Sequence, residues 1–252
     1  SVFQTAPALP WSIGNYRFNV EEVKKRAYQN FYNYECMGGV ICTFLQILSE
    51  NKVPNFNTLP LDMFRYGGGG VAGWGTICGT LNGSSQLFDI LLFDPKKPKD
   101  YQIPINHLLD WYSNQSFPSR DHDSYAKFKN QAQSAAKSPL CHVSVTTWIN
   151  TARKMDSPNI RALSPERADR CAKVTGDVAG YVAQMLNNYF NGKDFLAFDP
   201  GKSEYGACIS CHTDTQNAYN PNVKAEMNCR TCHVDLNKID PATHPFGNTQ
   251  SK

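Results

Sequence analysis

Cys208-Ile209-Ser210-Cys211-His212 recurs as Cys229-Arg230-Thr231-Cys232-His233. Cys-x-x-Cys-His is the spacing by which c-type haem is attached. The two thiols reach the two vinyl groups of one porphyrin as thioethers, and the following histidine places its imidazole under the iron. The spacing predicts two covalent haems c, one on Cys208 and Cys211 and one on Cys229 and Cys232, with His212 and His233 as proximal ligands. Seventeen residues separate Cys211 from Cys229, so the same four cysteines also fit a zinc ribbon. Two disulfides are a further alternative. Neither has a use for a histidine directly after each pair, and that repeat favours haem.

Distal iron ligands must come from His244, His122, His107 or His142, or from methionine. His244 stands first, in the irregular run Pro241-Ala242-Thr243-His244-Pro245. His122 stands second, in a polar loop, Arg120-Asp121-His122-Asp123, suited to reach a neighbouring subunit. His107 lies in an apolar helical stretch, where a buried, hydrogen-bonded histidine is the common outcome. His142 adjoins Cys141 and reads as a support for that cysteine. Two histidines per iron keep the potential low, whereas methionine raises it; low potentials are expected.

The elements that carry these groups read as mainly α. Asn19, with Glu22 three residues on, marks a helix start. Val20, Val23, Ala27, Phe31 and Tyr34 then form one apolar face, predicting a helix from Val20 to Leu48, loosened at Gly38-Gly39. Cys36 and Cys42 fall about 120° apart around that axis, so one of them is a spectator. The glycine run Gly67–Gly70 leads to Cys78 without a P-loop ending, and no strand precedes it as a dinucleotide site requires. Two readings stay open for it: amides approaching an anion beside Cys78, or a tight packing turn. A helix from Thr80 to Phe93 follows, then an apolar segment Ile105–Tyr112, a short polar helix from Ser124 to Lys137, and the stretch Pro139–Trp148. Ser164 and Pro165 announce the last helix, which ends near Asn191-Gly192.

Beyond Phe198 large aliphatic residues become scarce, and two porphyrins would supply the missing core. The division is a helical cysteine-containing domain over 1–198 and an irregular dihaem segment over 199–252. Net charge is +3, from 25 basic and 22 acidic residues without a basic cluster, which argues against nucleic acid. Apolar runs such as Ile90-Leu91-Leu92-Phe93 are too short to span a bilayer. Ser1 opens the sequence with no methionine and no leader, as in a processed product. Haem c is attached outside the bacterial inner membrane, so the expected location is the periplasm.

Cys36 at the end of a helical face, the glycines before Cys78-Gly79, then Cys141, then Cys171 in a capped helix resemble the C_GCAxxG_C_C family of redox-active proteins. With the dihaem tail added, the whole is similar to the split-Soret cytochromes c. The resemblance implies a periplasmic homodimer that exchanges electrons with other redox proteins, with bis-histidine haems and one distal histidine from the partner subunit. It also implies an iron–sulfur site, [2Fe-2S], on Cys36, Cys78, Cys141 and Cys171. Neither ferredoxin spacing is present, so these thiols could meet only through the fold. Disulfides or plain core thiols are the alternatives, and Cys42 is the cysteine left over.

Two functions follow from these residues. Electron transfer needs only closed, bis-histidine irons. A haem-dependent oxidoreductase acting on a nitrogen or sulfur oxyanion needs an open iron position. The first is preferred.

Overall fold

Asn19 accepts a hydrogen bond from the Glu22 amide at 3.2 Å and starts helix α1, Val20–Glu50. The computed structural model describes residues 7–155, 157–196 and 227. Cys208, Cys211, His212, Cys229, Cys232, His233 and His244 lie outside the described residues. The chain divides into two units, Ser1–Phe198 and Asp199–Lys252, and the fold that follows is that of the first.

The axis of α1 breaks at Glu35, with φ 61° and ψ −172°. Gly38 and Gly39, where loosening is expected, are both helical. The Glu35 conformation is one that almost only glycine adopts, and it costs about 1–3 kcal/mol unless the surroundings impose it. Its consequence is a second helical start, with Cys36 as the first residue.

After a 3₁₀ turn at Leu61–Gly67 come helices α2 (Gly79–Leu92), α3 (Gln102–Asn114), α4 (Cys141–Met155) and α5 (Pro165–Phe190). Helix α3 accommodates Pro104 in its first turn, where a missing amide proton costs nothing. Helix α5 starts as its sequence predicts: Ser164 accepts from the Arg167 amide at 3.4 Å and Pro165 follows. The only sheet among the described residues is antiparallel and tiny, β1 (Ser116–Phe117) on β2 (Ser134–Ala135).

Helices α1 and α5 form the main packed pair, and α2 packs chiefly on α1 and also touches α5. Val23, Ala27, Val40, Phe44 and Leu48 of α1 bury against Val174, Val178, Val182 and Leu186 of α5, with Leu81, Phe88 and Leu91 of α2. Each such side chain stabilises the fold by about 1.5–3 kcal/mol when fully buried. Trp111 stacks on Tyr181 at 3.9 Å and ties α3 to α5.

The polar helix expected over 124–137 does not form; the stretch is a string of turns ending in β2. Its amides are satisfied by distant side chains. Phe128 N–H donates to Asp169 at 3.0 Å, Lys127 N–H to the Tyr28 hydroxyl at 3.0 Å, and Asn130 N–H to Asp123 at 3.0 Å. Tertiary partners outcompete the local helical bonds. Among the described residues no helix is long and apolar enough to cross a membrane.

Candidate metal centre

Four cysteines on four elements reach one place. Cys36 opens the second half of α1, Cys78 caps the start of α2, Cys141 is the first residue of α4, and Cys171 sits in the second turn of α5. Cys78 and Cys141 are set side by side by a backbone bridge between Ile77 and Leu140. Within it Cys78 N–H donates to Pro139 O at 2.9 Å and Cys141 N–H to Thr76 O at 2.8 Å. All four side chains line one small cavity, partly open to solvent, together with Tyr112, Ser144 and Arg170. Cys36, Cys78 and Cys171 are buried and Cys141 is half-buried, so the cavity opens beside Cys141.

Three of the four sulfurs therefore stand at helical N-termini, where unpaired amides favour negative charge. The glycine run contributes one amide more. The Gly69 backbone, at φ +63°, stands near enough to the Cys36 thiol to lower its proton affinity. The run is also a packing device, because a Cβ on Gly79 would meet Gly67 O at 2.2 Å and Cys36 Cβ at 2.8 Å. The packing reading of the glycines therefore holds, and the backbone amide that favours a negative sulfur lies beside Cys36 rather than Cys78.

Burial pushes the Cys36 thiol well up, Cys171, Cys78 and Cys141 push it further, and the Gly69 amide pulls it down. The Cys141 thiol is pushed up to about 12 by burial and then by Cys78 and Cys171, against Arg170 and Arg167. Both shifts hold protons on these thiols as long as nothing positive lies between them. A bound metal reverses that balance, since a coordinated thiol is deprotonated outright.

The donor set fits such a group. Four thiols are soft ligands of the kind that hold iron–sulfur clusters, zinc or copper(I). Among the described residues no three His, Cys, Asp or Glu side chains close on a single point as a one-ion site requires. A ring of sulfurs around a cavity suits a polynuclear group better than one ion. Arg170 is buried against the same cavity with its Nε lacking any hydrogen-bond partner, an orphan that calls for an anion. The five described cysteines are all free of disulfides.

Cys42 stands apart. It is fully buried, points its thiol at Leu61 O over 3.5 Å, and does not line the cavity.

The histidines fare differently. His122, expected in an outward-facing loop, is fully buried. Its Nε2 bonds Asp177 at 2.8 Å and its Nδ1 bonds the Tyr125 hydroxyl at 2.7 Å, so neither nitrogen is left for an iron. The expectation that His122 is a distal ligand is corrected accordingly. His107 is half-buried and joined through Nε2 to the Tyr181 hydroxyl at 2.7 Å, with burial lowering its proton affinity. His142 is exposed at the start of α4. Tyr112, Ser144 and Thr80 are site residues the sequence did not flag. Tyr112 is far along the chain from every cysteine, while Ser144 and Thr80, close behind Cys141 and Cys78, are unremarkable residue types.

Fold and site together define a mainly α domain built around four cysteines from separate segments. The chain belongs to the family described as "Putative redox-active protein (C_GCAxxG_C_C)", which it matches over residues 32–185. It is similar to split-Soret cytochrome c from Desulfovibrio desulfuricans, with 28% identity over 235 residues, covering 91% of this chain and 80% of that protein. A solved structure that describes a novel iron centre in the split-Soret cytochrome c of that organism superposes with a TM-score of 0.75 at 27% identity, covering 94% of each chain. The resemblance read from the order of the cysteines, together with the dihaem motifs, thus holds for both the family and the relative.

Proposed function

We propose that this chain is an electron-transfer protein of the cytochrome c type, with two haems c on residues 199–252 and a [2Fe-2S] group on the helical unit. The observation that carries the reading is the meeting of Cys36, Cys78, Cys141 and Cys171 at one cavity, in a chain that also holds two Cys-x-x-Cys-His motifs. The name of the relative and the iron centre of the solved structure support it.

Cys208, Cys211, Cys229 and Cys232 would hold the porphyrins, with His212 and His233 as proximal ligands. Distal ligation falls to His244 and to a histidine of a second subunit in a homodimer. When bound, the haems and the iron–sulfur group take up and release single electrons. The residues of the chain do the rest. Helical N-termini, the Gly69 amide and the Thr80 hydroxyl favour the sulfurs as anions, and burial keeps water from three of them. Cys141, at the open edge, offers the shortest way out to a partner. Two histidines on each iron would leave the haems no vacant position, and the protein would then carry electrons without transforming a substrate. Its place is the periplasm, between other redox proteins.

Iron, labile sulfide and haem per chain, measured on protein isolated without air, test this. The expected result is about two haems, about four irons and about two sulfides. Two irons without sulfide remove the cluster, and a colourless protein removes the cytochrome. Carbon monoxide decides the remaining question: a reduced protein that binds it at once would be a haem oxidoreductase instead.

A further inference from the structure

Two cations are fully buried among the described residues, Arg170 and Lys173. Lys173 is answered by a carboxylate, with Nζ 2.6 Å from Asp123 Oδ1. Arg170 is not. Its Nη2 donates to the neutral Ser144 hydroxyl at 2.8 Å, and among the described residues its Nε has no hydrogen-bond partner and it forms no ion pair with a carboxylate. An unpaired buried charge is among the least favourable features a fold can hold, and a guanidinium cannot escape by losing its proton. The compensating charge must lie in the cavity that Arg170 lines. Among the described residues that cavity has no carboxylate in its walls; it has four cysteines and Tyr112, whose hydroxyl also donates to Ser144 Oγ, at 2.9 Å. Ser144, receiving both donors, fixes the guanidinium beside the sulfurs.

We propose that Arg170 is the counter-charge of the four-cysteine site and a positioning residue that raises the reduction potential of the thiolate-bound cluster held there. This rests on the iron–sulfur reading above. The argument is electrostatic. A cluster on four thiolates is anionic when oxidised and more so when reduced, and a fixed positive charge stabilises the form with the larger negative charge more strongly. In a site this buried, water does little to screen the difference. On reduction one electron arrives from a one-electron mediator, no bond forms or breaks, and the guanidinium keeps its proton. Arg167, four-fifths of a turn away on the same helix, does not serve: it is only half-buried and its Nε is taken by Ala162 O.

The test uses the full chain carrying its cofactors, with Arg170→Lys and Arg170→Met, read by an electron-paramagnetic-resonance redox titration of the cluster signal. Helical content by circular dichroism and sulfide per chain are measured beside it. Arg170→Lys is expected to fold, to assemble the cluster and to keep its potential close to that of the wild type. Arg170→Met is expected to disfavour reduction at least tenfold, about 59 mV for one electron, or to fold without taking up sulfide. Equal potentials in the Met variant and the wild type overturn the proposal. So does a Lys variant that fails to fold or to assemble, because shape and not charge would then be what the site needs. A wild type without labile sulfide instead removes the iron–sulfur reading itself.

Discussion

The Cys78 sulfur lies 3.2 Å from the Thr80 hydroxyl, and both groups are buried at the head of α2. A sulfur that is a thiolate can only accept there, so the hydroxyl must donate. Such bonds draw charge from a ligand sulfur and raise the potential of what it binds. Thr80→Val keeps the branched shape and removes the donor. It should lower the cluster potential and cost about 0.5–1.5 kcal/mol of stability. A titration with the wild-type midpoint would dismiss the bond as incidental.

Glu35 holds a conformation that suits glycine, so Glu35→Gly should relieve strain where most glycine substitutions in a helix cost stability. The relief of about 1–3 kcal/mol exceeds the usual helical penalty for glycine of about 1 kcal/mol. The melting temperature should hold or rise, with sulfide content unchanged. A clear fall in melting temperature would mean that Glu35 is not strained in solution.

Cys42 predicts a pH effect. Burial, with Asp62 nearby, pushes its thiol from the ordinary 9.0 up to about 12. The folded state therefore keeps a proton that the unfolded chain releases. The stabilisation is complete below pH 9, and is lost as pH rises from there through about 12. Cys42→Ala should flatten this alkaline decline in urea unfolding while leaving iron and sulfide per chain as they were. An equally steep decline in the variant, or lost iron, contradicts this account of the residue.

His122→Asn should leave the optical and magnetic signature of the haems untouched, because both imidazole nitrogens are already bonded. It should destabilise the fold by about 1–3 kcal/mol by leaving Asp177 and Tyr125 short of a partner. Altered haem ligation in this variant would return His122 to the iron.

The helix starts at Asn19 and Ser164 were legible because capping is local chemistry: an oxygen, an amide, and a few residues between them. The break at Glu35 was not, since no local preference places a glutamate in that conformation, with its side chain packed on Gly68. Residues 124–137 misled for a related reason. Their amides belong to Asp169 and Asp123, and a polar composition does not reveal distant partners. The four cysteines could be grouped by family resemblance, while their spacing alone is silent. The isolation of Arg170 is invisible in sequence, because having no carboxylate nearby is a property of three-dimensional neighbours.

The four sulfurs belong to four helices that meet only when the bundle is assembled. An unfolded chain offers no such meeting point, so whatever bridges them binds the native state alone. Loading the site and completing the bundle are then one equilibrium, with each step drawing the other forward. Starving the protein of iron should therefore weaken the bundle as a whole and not the site alone.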